Sequence, residues 1–198
     1  MLEASLAPIL PLPWQAATQQ RVFRQLLNTF AYPGRIETLD VTDRHIERDK
    51  TEALLFVLAV LLDGAVTLAD PDGLVGEDDW RRLEVRREPP ECAHFVVARG
   101  AAVPAFNPTI GSLENPEHGA TVILAVERIG EGGSLWLSGP GIAEERVELR
   151  VAGLDPAWLA ERERWNAGFP MGVDLVLVDA ARVAALPRTT RIQLAGEH

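Results

Sequence analysis

The chain has 198 residues, 47% hydrophobic and 24% charged, with a formal net charge of -10. A chain of this length buries roughly 70% of its extended surface, so one sizeable core is expected. The acidic balance excludes a global basic field for nucleic acid or an anionic membrane, and the lone cysteine, Cys92, excludes a disulfide framework or a thiolate zinc site.

Residues 1–14 are proline-rich and predict an irregular N-terminal arm. The opening Met1 to Pro8 lacks the basic n-region of a secretory signal, which leaves a reducing cytoplasm as the expected compartment. Gln15 to Phe30 reads as a first helix with Val22, Phe23, Leu26, Leu27 and Phe30 on one face. Tyr32-Pro33-Gly34 stops it, and Arg35 to Leu39 follows as a short strand. Asp49-Lys50-Thr51-Glu52 reads as an N-cap with an acid three residues on. The helix it opens is apolar nearly all round to about Leu62, hence buried. Its apolar run, Ala53 to Leu62, is half the ~20 residues of a membrane span.

Ala65 to Ala69 is an expected strand, and Asp70 to Asp79 holds five acids and two glycines. The acids do not follow a calcium-loop pattern, since Pro71 and Gly73 break it, so a solvated turn is the reading. Trp80 to Val85 forms a short helix or a loop, and His94 to Ala98 another strand.

Ala120 to Val126 is a β-branched apolar run that suits a strand covered on both faces. Gly130, Gly132 and Gly133 are expected to reverse the chain into a returning strand from Leu135, making a hairpin that ends on Ser138-Gly139-Pro140-Gly141. Arg146 to Val151 continues as a strand. Asp155-Pro156 opens a helix whose packed side carries Trp158, Leu159 and Trp165, with Gly168 just past its end. Val173 to Val178 is an apolar strand interrupted by Asp174. In the last strand Ile192 and Leu194 share one face, with Arg188 and Thr190 on that face at its mouth. With no repeat and no linker, these elements predict one α/β domain over 1–198 with a mixed central sheet flanked by helices.

Chemistry is sparsely signalled. His45, His94 and His118 lack a second ligand at helical or hairpin spacing, so no metal site is expected. Ser138 is not in a nucleophile elbow, and Lys50, the only lysine, sits at a helix cap rather than in a Schiff-base pocket or a Walker loop. No catalytic residue is assigned. Gly139 and Gly141 would let a loop expose backbone N–H groups, although a plain tight turn is the simpler reading. Arg188, Thr189, Thr190 and Arg191 place two guanidinium groups and two hydroxyls near one strand's start, suited to a phosphate or phosphonate oxygen or to a partner's carboxylate. The simpler alternative pairs Arg188 with a structural acid. Asp174 is that acid, or it caps the turn before it. Among the five tryptophans, Trp136 and Trp158 are candidate partner anchors, with core packing the ordinary alternative.

Several fragments taken in order resemble the PhnH family, subunits of the bacterial carbon–phosphorus lyase system. They are Phe23-Arg24-Gln25-Leu26-Leu27, Tyr32-Pro33-Gly34-Arg35-Ile36, Gly111-Ser112, Pro116-Glu117-His118-Gly119-Ala120-Thr121, Leu137 to Arg146, Phe169-Pro170-Met171-Gly172-Val173-Asp174 and Leu186-Pro187-Arg188-Thr189-Thr190. The likeness is weakest across Asp70 to Pro104. The resemblance implies an accessory subunit of the lyase core complex, with PhnG, PhnI and PhnJ as partners and a homodimer when isolated. That complex forms ribose 1-phosphonate 5-triphosphate from ATP and an alkylphosphonate before C–P bond cleavage. It further implies a fold similar to the large domain of PLP-dependent transferases, without PLP and without a complete active site. The alternative is a nucleotide- or phosphonate-binding component in its own right.

Overall fold

A computed structural model describes residues 12–39 and 52–194. The arm up to residue 11, His45 and the Asp49-Lys50-Thr51 cap lie outside the described residues. The chain is mixed α/β. Its elements are α1 (Ala16–Ala31), β1 (Glu37–Thr38), α2 (Glu52–Leu61), β2 (Thr67–Ala69), α3 (Glu77–Leu83), β3 (Arg86–Arg87) and β4 (Phe95–Arg99). They continue with β5 (Thr121–Ala125), β6 (Arg128–Ser138), β7 (Val147–Ala152), α4 (Ala157–Asn166), β8 (Asp174–Val178), β9 (Arg182–Leu186) and β10 (Arg191–Leu194).

A seven-stranded sheet runs in the order β1-β9-β8-β5-β4-β2-β3. Its middle is parallel, and β9 and β1 are antiparallel at one edge. Alternate residues of the central strands feed two cores. Val97, Ile123 and Val176 pack against α1, α2 and α3 on one face. Val96, Val122, Leu124, Leu175 and Leu177 pack on the other face against α4 and a second, three-stranded sheet of order β10-β6-β7. Val122, Ile123 and Leu124 are all fully buried, as a strand covered on both faces requires. Helices α1, α2 and α3 thus cover one face, and α4 shares the other with a small antiparallel sheet.

The expected hairpin between β5 and β6 does not form. The chain leaves the main sheet after Val126, whose N–H bonds Val178, and Glu127 N–H already bonds Ala152 in the second sheet. The glycines lie inside β6 rather than at a reversal: Ile129 and Gly133 both face Val151, so three residues bulge out between them. A Cβ on Gly132 would stand 2.5 Å from Val151 O, which explains the residue without invoking a turn. The antiparallel partners of β6 are instead β7, reached through the Ser138 to Arg146 loop, and β10.

The first helix also differs from its expected packing. Val22 and Leu26 are buried, but Phe23 and Leu27 are 48% and 51% exposed. The buried stripe is Thr18, Val22, Leu26 and Thr29, because α1 meets the molecule along one narrow face beside α2 and β9. Tyr32 closes the helix, its N–H bonding Asn28 O. Asp70 to Gly76 is a turn, as expected, closed by Leu74 and Val75 N–H donating to the Asp70 carboxylate, while Glu77, Asp78 and Asp79 fall in the first turn of α3 and Arg81 and Arg82 in the last, as the helix dipole favours. Strand β9 is an element that the sequence reading did not contain. Among the described residues no helix is long and apolar enough to cross a membrane.

Candidate functional site

The pairing of β8 with β9 creates the site. Leu175 opposes Leu186 at the end of the antiparallel ladder, so Asp174 and the residues after Pro187 leave it side by side. Arg188 N–H donates to Asp174 Oδ1 at 2.7 Å, and Nη2 donates to Oδ2 at 2.8 Å, with Nε at 3.3 Å from the same oxygen. The remaining edge of the guanidinium is also engaged: Nη1 donates to Pro116 O at 2.8 Å and to Pro170 O at 3.3 Å. Both side chains are mostly buried, at 15% and 20% exposure. The pairing of Arg188 with the acid Asp174, one of the sequence alternatives, is present.

Its place in the sheet agrees. Phe95, Thr121 and Asp174 align across β4, β5 and β8, so the clamp sits at the amino ends of the parallel strands. Open α/β sheets bind ligands outside the carboxyl ends. The clamp instead fastens three loops at the opposite end. A Cβ on Gly119 would collide with Gly172 O and come 3.0 Å from Arg188 Nη1, so the Pro116 to Thr121 segment can lie this close only as glycine.

The other predicted residues gather round it. Gly139 (φ 131°) and Gly141 (φ 83°) hold backbone conformations that side chains strain. A Cβ on Gly139 would meet Thr189 O at 2.9 Å. One on Gly141 would collide with Ala31 O and meet Pro33 Cδ at 2.9 Å. The loop therefore bridges the end of α1 to the Arg188 turn. Thr189 is exposed, whereas Thr190 is 2% exposed, and its Oγ1 finds no hydrogen-bond partner. Gly139, Thr189, Thr190 and Arg188 line a cleft of about 480 Å³, completed by Phe169 and Arg191.

One residue was not singled out from the sequence. Arg162 on α4 is 5% exposed and lies beneath the turn, its Nη2 donating to Pro187 O at 2.6 Å and Thr190 O at 3.0 Å. Its Nε has no partner. Burial pulls its pKa down to about 10, with Asp174 opposing that shift. The signal was present in the spacing: Trp158, Arg162 and Trp165 stand at i, i+4 and i+7 and form the buried face of α4.

Elsewhere the candidates are occupied structurally. His94 Nδ1 shares a 2.8 Å hydrogen bond with Thr67 Oγ1. Trp158 is 1% exposed, donates to Ala102 O at 2.7 Å and packs on Phe106 and Trp165, so it is core and not an anchor. Half-buried Trp136 carries Arg146 over its ring at 4.4 Å. No group of three His, Cys, Asp or Glu among the described residues is placed to hold a metal ion.

Comparison with known proteins gives a concordant result. The family model described as bacterial phosphonate metabolism protein (PhnH) matches residues 12–193, including the stretch from Asp70 to Pro104. A protein of Stutzerimonas stutzeri named as a C-P lyase subunit protein, HtxG, is 52% identical over 186 residues, 93% of this chain and 91% of that protein. The alpha-D-ribose 1-methylphosphonate 5-triphosphate synthase subunit PhnH of Rhizobium meliloti is 30% identical over 183 residues, 88% and 90% of the two chains.

Proposed function

Since the chain belongs to the PhnH family of bacterial phosphonate metabolism proteins, we propose that it is an accessory subunit of a carbon–phosphorus lyase core complex. It supports formation of ribose 1-phosphonate 5-triphosphate from ATP and an alkylphosphonate, ahead of C–P bond cleavage. The observation that carries this reading is the 52% identity to a C-P lyase subunit protein across 93% of the chain.

The geometry supports an accessory rather than a self-sufficient role. Arg188 and Asp174 are spent on each other and on backbone carbonyls, and the side-chain amide of Asn166 is spent on Val173. We assign catalysis to other subunits, with PhnG, PhnI and PhnJ as the partners, a homodimer as the isolated form and the cytoplasm as the compartment. The whole chain is taken as one PhnH-like domain that uses no PLP. A likeness to the large domain of PLP-dependent transferases belongs to the same proposal, supported by a seven-stranded sheet with a parallel middle and an antiparallel edge.

Deleting the gene in its host tests the pathway role. The expected result is loss of growth on methylphosphonate as sole phosphorus source, with growth on inorganic phosphate retained. Unchanged growth on methylphosphonate would contradict it.

A further inference from the structure

Helix α1 carries two faces with apolar residues, and the described chain covers one of them. Thr18, Val22, Leu26 and Thr29 are buried against the molecule. Ala16, Gln20, Phe23, Leu27 and Ala31 are all exposed, Phe23 at 48% and Leu27 at 51%. Single exposed apolar side chains need no explanation, but an aligned row does. Ala16, Gln20, Phe23 and Leu27 alternate four, three and four residues apart, the spacing by which one helix packs along another. At the helical rise the row runs for roughly 17 Å. Beside it, α1 and the end of α2 enclose a groove of about 530 Å³, to which Ala16, Phe23, Ala59, Val60 and Leu62 contribute apolar walls. A groove between two helices is the shape that receives a third.

Charge narrows what the row can meet. The chain carries a net charge of -10, yet α1 holds Arg21 and Arg24 and no acid. Both arginines are exposed, and neither joins an ion pair among the described residues. Three residues apart, they stand on one flank of the row. On the other flank Gln19 donates to Ala59 O of α2 at 2.9 Å. The acid lining the groove is Asp63, on the α2 side, where its Oδ1 accepts from Ala65 N–H at 2.8 Å. A second copy of the chain fits this face poorly, because a two-fold contact sets a patch against itself and arginines would meet arginines. An acidic helix is the complementary partner.

We infer that α1 is a docking ridge for an acidic amphipathic helix of another subunit. The apolar side of that helix covers Phe23 and Leu27, and its acids meet Arg21 and Arg24. The apolar anchors supply most of the affinity, while the charges set orientation and the choice of partner. This surface rests on the subunit reading and deepens it, by naming the face that joins the complex and the chemistry of what it joins.

Calorimetric titration of the full chain onto a purified particle of the proposed partners PhnG, PhnI and PhnJ tests it. Phe23→Gln combined with Leu27→Gln should weaken binding about thirtyfold or more, the scale of a lost interface anchor. Arg21→Glu combined with Arg24→Glu should weaken it about tenfold at low salt, with the difference shrinking as salt is added. Both variants should melt with the native chain, since all four side chains are exposed. Native affinity in either variant overturns the ridge and leaves the subunit reading standing. A native chain that does not bind the particle overturns the subunit reading, and the ridge falls with it. A lowered melting temperature for Phe23→Gln with Leu27→Gln would put the row under this chain's own residues. A dimer of the isolated chain that the same variant splits would assign the row to a second copy. Either result overturns the partner helix.

Discussion

Arg188 and Asp174 hold each other through both backbone and side chain, with N–H to Oδ1 at 2.7 Å and Nη2 to Oδ2 at 2.8 Å. The same guanidinium bonds the carbonyls of Pro116 and Pro170, so one side chain ties two loops to the amino end of β8. Removing it leaves a mostly buried carboxylate facing two orphaned carbonyls.

Arg188→Ala should therefore cost about 3 kcal/mol, the low end for breaking a buried pair, and lower the melting temperature by about 6–12 °C. Asp174→Ala should cost a similar amount. The double variant should cost less than the two losses added, since each partner removes the other's penalty. Additive losses in thermal or urea denaturation would contradict the clamp.

Gly141 is confined by φ 83° and by Ala31 O. Gly141→Val should destabilise the chain by more than about 1 kcal/mol, because the backbone conformation and the close approach both resist a side chain. An unchanged melting temperature together with unchanged assembly would show that the loop is not held as described.

The two faces of α1 should respond differently. Val22 is 2% exposed and Phe23 48%. Val22→Ala should cost about 2 kcal/mol through lost burial and the cavity left behind, while Phe23→Ala should stay within about 0.5 kcal/mol. Equal costs in urea denaturation would restore the packing that the periodicity suggested.

The charge of Arg162 should hold through the neutral range. Burial lowers its pKa from the ordinary guanidinium range to about 10, which still leaves it cationic at neutral pH. Above about 10 the unfolded chain binds more protons at this group than the folded one, so its contribution to stability rises with pH there. Below that, the buried charge is a constant cost. A difference in urea stability between the native chain and Arg162→Met that does not change above about pH 10 would contradict this sign.

Much of the architecture was legible in residue patterns. The apolar runs at Ala53 to Leu62 and Ala120 to Val126 became α2 and a central strand, and Asp155 does cap α4, its Oδ1 accepting from Ala157 N–H at 2.9 Å. What failed was long-range pairing. Glycines at 130, 132 and 133 serve a bulge as readily as a reversal, and only the partner strand, β7, decides between them. Strand β9 escaped because Ala184 and Ala185 carry little β preference, and its place between β8 and β1 overrides that. The Arg188–Asp174 pair was legible because Asp174 alone interrupts the apolar run from Val173 to Val178 and Arg188 opens a polar cluster that called for an acid. Arg162 was hidden among Glu161, Glu163 and Arg164, a stretch that reads as a solvated face until the tryptophan spacing is taken into account.

Multi-angle light scattering, on the chain alone and on the chain co-expressed with the proposed partners PhnG, PhnI and PhnJ, measures most directly whether it is a lyase subunit. The predicted result is a stoichiometric particle that contains this chain and keeps it through gel filtration. Partners that assemble among themselves while this chain elutes separately would contradict it.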